Sequence, residues 1–424
     1  MKLAIKGGKK SIAKVFSKYN SIGEEELNAV SEVIKSGVLS KYLGAWHEDF
    51  YGGPKVREFE DQAASFFDVK HAITVNSWTS GLVAAVGAID ISPGDEVIVT
   101  PWTMSASATA ILHWNAIPIF ADIDPKTYNL DPQSIEKNIT SKTKAILVAD
   151  IFGLSADMNK INEIASKYNL KVISDAAQAP YAMYDNKLAG TLGDIGGYSL
   201  NYHKHIHTGE GGILVTNNDY YAEKLKLIRN HGEVVALDKN LDSIVNVIGH
   251  NFRLGEIECA IGIEQLKKLK TKVSRRQEIA SLLNQGLKGL DGLEIPYVPE
   301  NQTHSYYMYP IQIDANEIGI SKDVICKALQ AEGFNISSRY QNIHLLPIYQ
   351  EKIAYGDKGF PWTADFSRKD ISYARGICPN AEGLNEFSYI GFGMCTYEWS
   401  NQDVNLIIDT FHKVWNGLDE LRDL

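Results

Sequence analysis

The sequence predicts an α/β protein, a mainly parallel sheet flanked by helices, followed by a smaller α+β unit. Three observations carry this reading. From His71 onward, short apolar runs alternate with stretches of helical periodicity, as expected of strands buried on both faces and joined by crossover helices. Past Gly255 that alternation gives way to a long helical stretch and then to strands and helices in mixed order. The chain has 424 residues, 44% hydrophobic and 22% charged, enough to bury the core of two domains.

Taken in order, Ser21 ahead of Glu24, Glu25 and Glu26 marks a capped helix start, and that helix runs to Gly37. A glycine- and aromatic-rich loop over residues 43–53, of the kind found near an interface or a substrate, precedes a second helix over 55–67. Strands are then expected over 71–76, 96–100, 118–121, 145–151 and 171–174, with helices over 79–89, 105–114 and 157–168 between them. Two further strands, 198–201 and 213–216, flank a loop that carries Lys204. Residues 255–290 read as two consecutive helices, and the domain boundary is set there: a large domain over 1–255 and a C-terminal domain over 256–424. The second domain is expected to hold strands over 308–313, 335–339 and 388–393 and helices over 322–333 and 401–415. Within it, residues 350–375 are polar and aromatic with weak periodicity, which predicts an inserted loop or lid.

Composition excludes several function classes. Lysine and arginine number 42 against 52 aspartates and glutamates, a net charge of −10, and the one basic cluster is short, so neither nucleic acid nor an anionic membrane is the expected partner. Four scattered cysteines without a CxxC pair suggest neither a disulfide framework nor a zinc site. The first residues lack the apolar core of a signal peptide, and no apolar run reaches the ~18 residues of a membrane span. A cytoplasmic protein with free thiols is expected.

In an open parallel sheet, function gathers in the loops beyond the carboxyl ends of the strands. Four features there suit one chemistry. Lys204, in a protected loop between strands, can form a Schiff base and, with its pKa lowered, carry a proton; His203 and His205 would help lower it if charged. Asp175, closing a buried strand, can keep a heteroaromatic nitrogen protonated. Ser77 to Ser80, where a strand meets a helix N-terminus, offer free backbone N–H groups to a phosphate. Taken singly, each has a plain structural reading: a solvated lysine beside a turn, a helix cap, an N-cap. His203, His205 and His207 alternate with only Glu210 nearby, so no metal is expected.

Order and spacing decide among these readings. Val56-Arg-Glu-Phe-Glu60, Asn76-Ser-Trp-Thr-Ser80, Ala121-Asp-Ile-Asp124, Asp175-Ala-Ala-Gln-Ala179, Lys204 followed by Thr208-Gly-Glu-Gly-Gly212, Arg229-Asn-His-Gly232 and His250-Asn-Phe-Arg253 stand in one sequence over nearly the whole chain. In this the chain resembles the DegT/StrS-type sugar aminotransferases, pyridoxal-phosphate enzymes of fold type I with a seven-stranded sheet.

The resemblance implies that Lys204 holds the cofactor and shuttles the proton, that Asp175 pairs with the pyridine nitrogen, and that Gln178 reaches the ring. Ser199 and the backbone at Trp78 and Thr79 would hold the phosphate, and Asn251 would contact the phosphate of the other subunit in a homodimer with shared sites. L-glutamate or glutamine would give the amino group, and a keto or aldehydo sugar, nucleotide-linked or a free acid such as an oxidised 3-deoxy-octulosonate, would accept it. Arg339, Tyr340 and His344, in a segment similar to one that borders the substrate in the family, are candidate substrate contacts, with His205 beside the lysine.

Three departures stand out. Trp78 replaces the family's usual glycine, placing an indole beside the phosphate site. Met104 stands where an aromatic ring commonly covers the cofactor, and Trp102 is expected to supply that cover instead. Asp150 stands where many relatives carry histidine. Alternative readings are a sugar dehydratase, which in this family replaces the lysine with histidine, and a non-catalytic regulator keeping the fold.

Overall fold

The computed structural model describes residues 2–424. Its centre is a seven-stranded sheet in the order β1-β9-β8-β5-β4-β2-β3. The strands are β1 (His71–Val75), β2 (Glu96–Val99), β3 (Ile117–Phe120), β4 (Thr143–Ala149), β5 (Lys171–Asp175), β8 (Ile195–Ser199) and β9 (Gly212–Thr216), with a small hairpin, β6 (Met183–Tyr184) and β7 (Lys187–Leu188), between β5 and β8. The ladders from β3 across to β8 are parallel, and β9 runs antiparallel between β8 and β1. All side chains of β2, β3, β8 and β9 are buried, as a sheet covered on both faces requires.

The sequence places these strands to within about two residues at most ends, the usual uncertainty of such boundaries; β8 begins earlier than expected because Gly196 and Gly197 weaken its apolar signal. Two helices longer than five residues go unanticipated. Pro132–Asn138 starts on the Asp131 cap, and Asp219–Arg229 on the Asn218 cap, both too short or too polar to give a clear periodicity.

The stretch after Gly255 is one 32-residue helix, Glu256–Leu287, where two were expected. No proline interrupts it, and Gly262, which weakens the pattern, is a close-approach position: a Cβ there would lie 2.5 Å from the Phe59 ring. This helix backs the sheet through Phe59 and reaches the second core, formed with β10 (Leu293–Glu294), β11 (Met308–Ile313), β12 (Tyr389–Gly393) and the helix Asn401–Asn416. Leu3, Ile12 and Phe16 from the N-terminal leader pack into that same core.

Residues 335–339 do not form the expected strand. Only Ser337 bridges to Gly391; the next N–H a ladder would use, that of Arg339, is donated to Ser337 Oγ at 3.2 Å instead. The 350–375 segment is irregular as expected, yet it is anchored, which a free lid would not be. Trp362, Ile371 and Tyr373 are buried in the large core; Tyr373 donates to the Pro118 carbonyl at 2.8 Å, and Arg368 pairs with Glu96 at 2.6 Å. The segment thereby covers the β2–β3 edge of the sheet.

One buried ion pair fixes the approach of β1 to the site. Arg229 is fully buried and donates to Glu60 Oε1 at 2.5 Å and to the Thr74 carbonyl at 3.1 Å, while Glu60 also accepts from the Thr74 N–H at 2.9 Å. Removing one partner of such a pair strands the other charge. Arg229→Met is accordingly expected to cost about 3–5 kcal/mol in urea unfolding of the cofactor-free protein, with a loss under 1 kcal/mol contradicting this role.

Candidate active site

The ends of β1, β4, β5 and β8 converge on a cavity of about 870 Å³. Asp175 is the last residue of β5 and pairs in register with Gly197 of β8. Because β8 and β9 are antiparallel neighbours, the chain between them loops out at the carboxyl edge and back, and Lys204 sits on that loop.

Lys204 is 8% exposed, and among the described residues its Nζ makes no hydrogen bond or salt bridge. It lies 4.3 Å from the centroid of the Tyr307 ring, which supplies cation–π attraction to the charged form. Burial nevertheless pushes its pKa down to about 8, and the Asp175 carboxylate only partly opposes this. His203 and His205 do not contribute as the sequence suggested: burial pushes them down to about 4 and about 3, so both are neutral near pH 7. The lysine is made easier to deprotonate by desolvation, not by neighbouring positive charge.

Asp175 is buried, and burial raises its pKa, while hydrogen bonds from Ser107, Trp78 and the Ala177 N–H favour the carboxylate. At the far edge, the helix Trp78–Ala88 begins at the Ser77 cap, whose side chain accepts from the Ser80 N–H. The Trp78 and Thr79 N–H groups, at the first positions of that helix, have no helical acceptor and border the cavity beside Ser199. A carboxylate for a ring nitrogen, a lone amine and a helix N-terminus for a phosphate fit pyridoxal phosphate.

The comparisons agree with that fit. The model of the DegT/DnrJ/EryC1/StrS aminotransferase family matches residues 20–375. The chain belongs to this family. It is 35% identical over 359 residues to the spore coat polysaccharide biosynthesis protein SpsC of Bacillus subtilis, covering 83% of this chain and 89% of that protein. It is 36% identical over 298 residues to the GDP-perosamine synthase of Caulobacter vibrioides, covering 70% and 79%. The crystal structure of an aminotransferase from Psychrobacter cryohalolentis superposes with a TM-score of 0.80 at 27% identity, over 96% of this chain and all of that one. As a member of this aminotransferase family, the protein is a pyridoxal-phosphate-dependent aminotransferase.

Of the residues singled out from the sequence, the cavity brings together Lys204, Asp175, Gln178, Ser199, Trp78, Thr79, Met104, Arg339 and Tyr340. Gln178 Nε2 donates to the Tyr340 hydroxyl at 3.3 Å, and its Oε1 accepts from the Phe152 N–H at 2.8 Å. Asn251 does not line this cavity.

Three expectations are corrected. Trp102 is fully buried, stacks on Tyr128 and donates to Asn342 Oδ1 at 2.6 Å, so it does not cover the cavity. The alternation argument fails because residues 101–104 are not an extended strand, and it is Met104, 68% exposed, that stands at the cavity. His344 is likewise buried, against Glu382 Oε1 at 2.9 Å, where it ties the segment before the insert to the one after it. His205 points away, to the Ser305 carbonyl at 2.8 Å.

The sequence reading missed Tyr307, Ser107, Asn201 and Arg375, which line the cavity or reach Asp175. Tyr307 adjoins β11 in the second core, so only the tertiary fold puts it over the lysine. Asp150, at the end of β4, lines the cavity too; burial pushes its carboxyl up to about 7.

The Lys204 shift has a stability consequence of fixed sign. Between about pH 8 and the ordinary lysine value of 10.5, the unfolded chain binds a proton that the folded protein does not, so folded stability rises with pH there. Below pH 8 the folded protein carries the full cost of the buried charge. Lys204→Met is expected to stabilise the cofactor-free protein by on the order of 1–3 kcal/mol at pH 7, an advantage that shrinks toward pH 10.5. Urea unfolding at pH 7 and pH 10 checks this, and a pH-independent difference would contradict it.

Proposed function

We propose that this aminotransferase moves an amino group from L-glutamate or glutamine to a keto or aldehydo sugar, by a ping-pong mechanism, in amino-sugar biosynthesis for a surface polysaccharide or a natural product. The observation that carries the reading is the buried, unpartnered Lys204 amine in one cavity with Asp175 and the free N–H groups of Trp78 and Thr79. Pyridoxal phosphate, when bound, supplies the electron sink that stabilises negative charge at the substrate carbon. Asp175 would keep its ring nitrogen protonated, and the helix N-terminus and Ser199 would hold its phosphate. Lys204, whose ammonium loses its proton at about pH 8 instead of 10.5, would take the proton from one carbon and return it to another.

A sugar as acceptor is supported by the names of the relatives, one a synthase of a GDP-linked amino sugar and one a polysaccharide biosynthesis protein. Lysine at position 204, and not histidine, favours amino transfer over dehydration. Arg339 and Arg375, at the cavity, favour an acceptor carrying a phosphate or a carboxylate. The position of Asn251 outside this protomer's cavity favours its use by a second subunit, in a homodimer with shared sites.

The test is direct. With the cofactor-loaded protein, L-glutamate or glutamine is expected to bleach the visible absorption and release the matching keto acid, and one of a panel of nucleotide-linked keto sugars and oxidised sugar acids is expected to restore it. Absence of any response to either amino donor would overturn the reading. With the acceptor in hand, Arg339→Ala is expected to raise its KM roughly tenfold or more with little change in kcat, as loss of a charge-assisted contact made equally in ground and transition states requires.

A further inference from the structure

The tryptophan at position 78 is out of place on the sequence pattern, and the structure gives it work. Its indole does not project over the phosphate site. It turns inward, 6% exposed, and Nε1 donates to Asp175 Oδ1 at 2.6 Å. Space for it is made by two glycines: a Cβ at Gly197 would lie 2.4 Å from the ring, and one at Gly81 2.8 Å. Gly197 is the residue of β8 in register with Asp175, so ring, glycine and carboxylate form one packed unit.

We propose that Trp78 is a positioning residue of this enzyme, holding Asp175 ionised and oriented so that the pyridine nitrogen of the cofactor keeps its proton. The inference rests on the assignment of pyridoxal phosphate to this cavity. An indole N–H can only donate. Oδ1 therefore accepts from Trp78 and, at 3.2 Å, from the Ala177 N–H, which fills both of its positions and leaves none for a proton. Oδ2 accepts from the Ser107 hydroxyl at 2.8 Å, and Ser107 is itself within 3.1 Å of Thr103 Oγ1. One acceptor position remains, on Oδ2, for a ring N–H in the cavity that Asp175 lines.

Burial alone drives this carboxyl toward the neutral acid. A neutral acid would offer a proton to the ring nitrogen instead of holding one there by charge. The Trp78 N–H opposes that outcome, because charge-assisted donation to a carboxylate lowers its basicity and leaves the shared proton on nitrogen. Loss of the indole N–H is therefore expected to shift the proton toward Asp175 and to weaken the hold on the cofactor.

Trp78→Phe keeps an aromatic ring and removes the donor. Replacement of residue 78 by β-(3-benzothienyl)alanine, which keeps the bicyclic shape and lacks the N–H, covers the case in which phenylalanine leaves a cavity that prevents folding. Each protein is loaded with pyridoxal phosphate labelled with nitrogen-15 in the ring, and the ring-nitrogen chemical shift and the cofactor dissociation constant are measured. The wild type is expected to give a pyridinium shift. Both variants are expected to move toward the neutral-pyridine position and to bind the cofactor about tenfold more weakly. A purely space-filling Trp78 would leave the shift of the benzothienyl variant unchanged, and that result overturns the inference. Failure of the wild type to bind the cofactor would instead overturn the assignment of the cavity.

Discussion

Everything at the site depends on keeping one amine out of water without giving it a counterion. Lys204 is buried with its Nζ unpaired except for the face of Tyr307, and that desolvation lowers its pKa by about as much as a proton carrier at neutral pH needs. A carboxylate in contact would restore the ordinary value and silence the amine. The fold resolves this by putting Asp175, the carboxylate whose charge acts on the amine, on the neighbouring strand end and tying both of its oxygens to other donors. The antiparallel insertion of β9 beside β8 is what allows a loop, and with it Lys204, to sit at the carboxyl edge of an otherwise parallel sheet.

The rest of the architecture supports that arrangement. The Arg229–Glu60 pair and its bonds to Thr74 fix β1, and β1 delivers Ser77 and the helix N-terminus. The anchored 350–375 segment covers the sheet edge at β3 and feeds Arg375 to the cavity. The helix Glu256–Leu287 joins the two cores, and Tyr307, just before β11, crosses from the second to lie over the lysine. The site is thus a product of both cores.

What the sequence made legible follows a physical pattern. The strands of the sheet were readable because burial on both faces forces apolar runs; Asp175 and Ser77 stand at or just past strand ends, and Lys204 lies on the loop between β8 and β9. Tyr307 and Ser107 were not, since neither lies at the end of a strand of the large sheet and only the folded chain brings them near. Trp102 misled because a period-two argument was applied to a segment that is not extended, and a large ring with one N–H finds a better place in the core beside Asn342. His205 and His344 misled for a related reason: histidine near a site reads as functional, while here both rings are buried and turned to partners outside the cavity, the Ser305 carbonyl and Glu382. The single helix after Gly255 reads as two because the apolar spacing over Ile257–Leu269 gives way to a polar stretch around Arg275 and Arg276, while the backbone continues without a break.

We propose that Lys204, and no other amine, holds the cofactor. Borohydride reduction of the cofactor-loaded protein fixes pyridoxal phosphate to whichever lysine carries it, and peptide mapping by mass spectrometry locates the adduct. The expected result is one modified peptide containing Lys204, at close to one cofactor per chain. An adduct on Lys322 or on surface lysines, with Lys204 unmodified, would contradict the account.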